Sequence, residues 1–225
     1  MNTQICVNCN YYFSDIHSCK CRKEIRMNKN EIVQHKTIVF HQEMIVALAK
    51  SNADTAHALY FDDSDTHALI NHMAFGLFGE VAEVMENLVE AKGRENLVEE
   101  LGDCEFYLGR LAQLVNYNSL MLIHGVTPNL GGTTALNATC YAVIKAGNIM
   151  DAVKRLTTYE KELNVEDLAK AITGMAYCLE SIRVNSNITR QECFEHNINK
   201  LGKRYSGGTY SNKSAQERAD KTKGE

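Results

Sequence analysis

One proline, Pro128, stands among 225 residues, and there is no tryptophan. Proline is the strongest interrupter of helices, so its near absence leaves long stretches free to coil. An all-β sandwich of this length needs many turn prolines and aromatic strand residues. The chain is therefore expected to be all-α. Its apolar content of 44% excludes a mostly disordered chain. Its length allows one large domain, or one domain plus a small module, with a core that needs no disulfides.

Helical recurrence of apolar residues places helices at about 29–50, 66–91, 95–117, 133–158, 165–184 and 189–204. Residues 51–65 are a polar, acidic interruption, and TPNLGGTT is the clearest loop. Lys92-Gly93-Arg94 reads as a short break with Gly93 as C-cap. The last residues, from 209 to 225, are polar and Gly/Ser/Lys-rich and read as a mobile tail. GEVAEVMENLVEAKGRENLVEELGDCEFYL is echoed by AGNIMDAVKRLTTYEKELNVEDLAKAITGMAYCL in its helix–break–helix layout. Asn148 and Asp151 then match Glu80 and Glu83, while Lys170 and Thr173 match Glu100 and Asp103. This predicts a helical bundle with a four-helix core of two hairpins, a degenerate repeat in which one hairpin keeps its acids. Likeness between any two amphipathic helices is the alternative.

Between Glu80 and Glu105 there are nine acids against Lys92 and Arg94, a charge of −7. Glu80 and Glu83 are three apart and share a helix face, as do Glu100 and Asp103 on the next helix. A tight break makes the two helices antiparallel, so the four carboxylates converge. Buried unpaired, they would cost several kcal/mol each. An all-oxygen ligand set favours Mg²⁺ or Mn²⁺, which keep coordination positions for water and phosphate. A di-iron site would want Glu-x-x-His, and no histidine follows Glu80 or Glu100 at that spacing. Gly76, Gly79, Ala82 and Gly102 surround the acids. Glycine inside a helix implies close helix approach or ligand access, where a merely solvated acidic face would need neither.

A net charge of −4 argues against a nucleic-acid binder. No run of about 18 apolar residues exists to span a membrane. MNTQICVNCN lacks a secretory pattern, so a cytoplasmic location is expected (the host cytoplasm if the chain is viral). In a reducing compartment the scattered Cys104, Cys140, Cys178 and Cys193 read as small buried hydrophobes. Cys6, Cys9, Cys19 and Cys21 crowd one short polar segment and match tetrahedral Zn²⁺ coordination, with His17 as an alternative ligand. Metal would supply the folding energy of such a knuckle, residues 1–26. A tail with reactive thiols is the other reading. Lys20, Arg22, Lys23 and Arg26 beside these cysteines would let the segment serve as a non-catalytic binding module.

GLFGEVAEVMENL, the basic break KGRENL and VEELGDCEFYL together resemble the Glu-x-x-Glu…Glu-x-x-Asp signature of the MazG-like all-α NTP pyrophosphohydrolases. HNINKLGKRYSGG resembles the Asn-x-x-Lys-Leu-x-x-Arg-Tyr ending of their phage-type members. The likeness covers about residues 66–117 and 189–208, within a domain at 27–208, and leaves the cysteine cluster unexplained. It implies Mg²⁺-dependent hydrolysis of (deoxy)nucleoside triphosphates to monophosphate and pyrophosphate, by water attacking the α-phosphorus. Glu80, Glu83, Glu100 and Asp103 would be the metal ligands, and Glu99 or one ligand carboxylate would orient the water. Residues 199–225 carry +4, and Lys200, Lys203, Arg204 and Tyr205 would grip the phosphates, with Lys92 a further candidate. Complementing the helix dipole is the plainer role for these cations. Signalling nucleotides such as alarmones are an alternative substrate. One site per chain and a homo-oligomer are expected.

Overall fold

The computed structural model describes residues 4–5, 12–13, 29–48, 65–115, 133–159 and 161–220. The cysteine cluster with His17, the 51–64 interruption and the TPNLGGTT loop up to Gly132 lie outside the described residues. The chain divides into a unit of residues 1–36 and a unit of residues 37–225. In the first, strands β1 (Gln4–Ile5) and β2 (Tyr12–Phe13) pair antiparallel. The remaining described structure is helical: α1 (Lys29–Leu48), α2 (Asp65–Glu90), α3 (Arg94–Leu114), α4 (Ala135–Tyr159), α5 (Val165–Ser186), α6 (Arg190–Arg204) and α7 (Asn212–Glu217). No described helix is long and apolar enough to cross a membrane.

The core follows from apolar spacing. Leu69, Met73, Leu77, Val81 and Val84 line α2, and Leu97, Leu101, Cys104, Leu108 and Leu111 line α3. Ala138, Ala142, Ala146, Ile149 and Val153 line α4, and Leu168, Ile172, Met175, Leu179 and Ile182 line α5. Steps of three and four put each set on one stripe, and all four stripes merge into a single cluster. Helix α2 packs on α3 and α4, α4 packs on α5, and α6 lies mainly on α3. From Thr37 onward α1 buries Ile38, His41, Ile45 and Leu48. Of the scattered cysteines, Cys104, Cys178 and Cys193 are buried as expected, while Cys140 is exposed.

The turns are set by local chemistry. At the end of α2 the left-handed residue is Ala91 (φ 56°), and the Lys92 N–H reaches back to the Asn87 carbonyl at 3.2 Å. Gly93 (φ 104°) is instead the N-cap of α3, so its expected role as a C-cap is corrected by one helix end. Asn187 ends α5 in the left-handed region (φ 53°), with the Ile188 N–H on the Arg183 carbonyl at 2.9 Å. Thr189 then caps α6 in a reciprocal box with Glu192. Within the described part of the polar 209–225 stretch, Ser211 caps α7, and Asp220 accepts two hydrogen bonds from Arg204, both at 2.6 Å. The Asp220 side chain is 1% exposed. Its partner lies 16 residues upstream, beyond what local polarity reveals.

Candidate metal centre

Glu80 on α2 and Glu100 and Asp103 on α3 each present a carboxylate oxygen, and these oxygens lie within 4.8 Å of one another. Two absent side chains allow this. A Cβ on Gly76, one turn before Glu80, would stand 2.2 Å from the Tyr107 ring, so that ring lies directly on the α2 backbone. A Cβ on Gly102 would meet the Cys193 carbonyl oxygen at 2.6 Å, so α6 lies directly on α3 beside Asp103. Gly79 has nothing within 4 Å, which leaves space beside Glu80.

Crowding shows in the proton affinities. Burial, then the charges of Asp103, Glu83 and Glu100, pushes Glu80 up to about 9. Burial, then Glu83 and Asp103, pushes Glu100 up to about 7. Neutral and cationic donors steady the ring of oxygens. Asn87 donates to Asn96 at 2.8 Å, and Asn96 donates to Glu100 Oε1 at 2.7 Å. Asn197 on α6 donates to Asp103 Oδ1 at 2.6 Å. Lys200 Nζ donates to Glu99 Oε1 at 3.1 Å and to Asp103 Oδ2. The Lys200 side chain is 8% exposed. Burial lowers its proton affinity, but Asp103 and Glu99 overcome that and raise it, so Lys200 is held charged.

The other expected site residues are placed differently. Glu83 is exposed on α2; its charge reaches Glu80 and Glu100, but it is not in the tight triad. Spacing alone does not separate it, because Glu100 and Asp103 are also three apart and both join the triad. Lys92 turns back onto α2, pairing with Glu86 at 2.6 Å and Glu90 at 3.6 Å. Lys203 is exposed. Arg204 is engaged by Asp220. Tyr205 is buried with Leu48 and Leu201, its ring 5.6 Å from that of Tyr210. Of the expected phosphate-binding group, Lys200 alone hydrogen-bonds a residue of the triad among the described residues.

Two groups beside the site carried no signal in the sequence. His41 on α1 is fully buried, with Nε2 at 3.1 Å from Asn197 Oδ1. Glu105, next to the ligand stretch, takes Arg190 bidentately at 2.9 and 2.8 Å and Arg183 at 2.8 Å. Burial raises Glu105, but Arg190 and Arg183 bring it down to about 2. It is therefore a structural charge that ties α3 to α5 and α6. The positions of α4–α5 that the sequence echo aligns with the acids make other contacts. Asp151 pairs with Lys154 and Arg155, Lys170 pairs with Glu166, and the Thr173 hydroxyl donates to the Ala169 carbonyl. Among the described residues the acidic triad occurs once.

An oxygen-only set this close suits a hard divalent cation that keeps coordination positions for water and phosphate oxygens. No family model matches the chain, and neither a curated protein nor a solved structure matches it. The chemistry of the centre therefore rests on its own residues.

Proposed function

We propose that the chain is a Mg²⁺-dependent pyrophosphohydrolase of (deoxy)nucleoside triphosphates, of the MazG-like kind. The observation that carries the reading is the triad Glu80–Glu100–Asp103, whose oxygens lie within 4.8 Å of one another and repel when unprotonated. Glu80, Glu100 and Asp103 would hold Mg²⁺ (or Mn²⁺), with Glu83 as the outer acid of the same face. Bound there, the cation would bind phosphate oxygens, make a water more acidic and offset charge on departing pyrophosphate. Lys200 would exchange its carboxylate partners for the phosphates, a point charge beside the developing anion. Glu99 stands outside the triad and would take the proton of the attacking water. The water oxygen bonds to the α-phosphorus, the bond to the bridging α–β oxygen breaks, and pyrophosphate leaves. Arg204 would contribute only after parting from Asp220. Exposed Phe75 and Phe78 on α2 and Tyr141 and Ile144 on α4 support the expected homo-oligomer, since they would be covered by a second copy.

The test is a panel of ribo- and deoxynucleoside triphosphates, with alarmones included, in Mg²⁺. Monophosphate plus pyrophosphate is the expected product pair, and Glu80→Gln or Asp103→Asn should reduce turnover at least a hundredfold. Diphosphate plus phosphate, or no turnover of any nucleotide, would overturn the reading.

A further inference from the structure

Three helices meet at a short polar chain: His41 on α1, Asn197 on α6 and Asp103 on α3. His41 and Asn197 are both fully buried. Asn197 Nδ2 donates to Asp103 Oδ1 at 2.6 Å, which fixes the amide so that Oδ1 faces His41 Nε2 at 3.1 Å. An amide oxygen only accepts, so Nε2 must carry the imidazole proton. The other ring nitrogen, Nδ1, is buried without a hydrogen-bond partner among the described residues. A second proton there would strand a buried N–H, so the ring stays neutral. Burial is also the main reason its proton affinity falls to about 4, with the charge of Glu105 opposing and that of Arg190 assisting. The Phe194 ring, 4.3 Å away and tilted 33°, fixes the plane of the imidazole.

We propose that His41 is a positioning residue for the metal centre: as the Nε2–H tautomer it holds the Asn197 amide in the one orientation that donates to Asp103. With Asn197 on Oδ1 and Lys200 on Oδ2, the Asp103 carboxylate is pinned through both oxygens. The opposite tautomer would let the amide turn over and aim its oxygen at a carboxylate. Gly102 is part of the device, because a Cβ there would stand 3.1 Å from Asn197 Cβ. The inference rests on the proposed metal site, and it concerns orientation rather than contact with substrate.

Mn²⁺ alone is the probe, titrated calorimetrically into the full chain. Outer partners of metal ligands typically carry 10- to 100-fold in affinity. His41→Phe keeps the packing and removes the donor, so the Mn²⁺ Kd should rise by about that factor. His41→Gln restores an N–H near the Nε2 position and should recover most of it, which a purely structural role would not predict. Wild-type affinity in His41→Phe, or a loss in His41→Gln equal to that in His41→Phe, would overturn the proposal. Nitrogen-15 shifts of the His41 ring test it independently of any variant's folding: protonated Nε2 supports it, and protonated Nδ1 refutes it. If the wild-type chain takes up no divalent cation at all, the metal site itself falls, whatever the variants do.

Discussion

Replacing Glu105 by Gln isolates the energetics of the buried charges behind the site. The Arg183, Glu105 and Arg190 side chains are 3%, 5% and 9% exposed. Gln keeps the shape and one acceptor but removes the charge that answers Arg190 and, together with Glu180, Arg183 in the interior. Breaking a buried pair in this way costs about 3–5 kcal/mol. A second route gives a similar figure. The folded carboxyl titrates at about 2 against an ordinary 4.5, a difference equivalent to about 3 kcal/mol at neutral pH. The sign follows from the depression. Glu105 contributes fully above its unfolded pKa and loses that contribution as pH falls toward the folded one. The deficit of Glu105→Gln should therefore be about 3 kcal/mol at pH 7 and shrink to about 1 kcal/mol by pH 3. At 2–4 °C per kcal/mol, Tm at pH 7 should fall by roughly 6–12 °C. Urea unfolding of both proteins at the two pH values measures this directly. A deficit under 1 kcal/mol at pH 7, or one equally large at pH 3, would refute the electrostatic account.

Further outcomes follow from the same geometry. Because Glu80 and Glu100 hold protons up to about 9 and 7, a cation must displace them, and Mg²⁺ affinity should climb as pH rises from 6 to 9. A flat calorimetric profile would contradict that. Without metal the sign is the reverse: these raised groups stabilise the fold below their unfolded pKa, and that stability drains away as pH rises through the folded values. Gly102→Ala places a methyl 2.6 Å from a backbone oxygen, so it should cost about 1–3 kcal/mol in denaturant melts and weaken Mn²⁺ binding with it. Asp220→Asn leaves Arg204 without this charge partner and should lower Tm by a few degrees, which scanning calorimetry would register; an unchanged Tm would show that the pair adds nothing to the fold.

Helix positions were legible because their causes are local. Steps of three and four between apolar residues, with almost no proline, place every long described helix within a few residues of where it lies. The caps at Thr189 and Ser211 and the short helix α7 were not among the expected features. The acids at 80, 83, 100 and 103 stood out as two pairs, because a spacing of three puts each pair on one face, but that spacing did not show that Glu83 stays outside the close triad. What remained hidden depends on contacts between distant segments. His41 lies 156 positions from Asn197, and Glu105 lies 78 and 85 from its two arginines. No short window holds either relation. Gly93 looked like a helix stop because glycine tolerates the left-handed region, yet Ala91 occupies that conformation while Asn87 donates to the Gly93 carbonyl at 2.9 Å. Arg204 looked available for phosphate because its acidic partner sits in a segment whose composition signals nothing.

The two hairpins differ in what they demand of their surroundings. In α4–α5 each charge at the matching positions is answered on its own helix by a neighbour three or four residues away. The acids of α2 and α3 are answered from outside their own hairpin, by Lys200 of α6, and by the protons that Glu80 and Glu100 retain. Mutational tolerance is therefore expected on the self-contained surface of α4–α5, and little of it at Lys200, whose one ammonium answers Glu99 and Asp103 together.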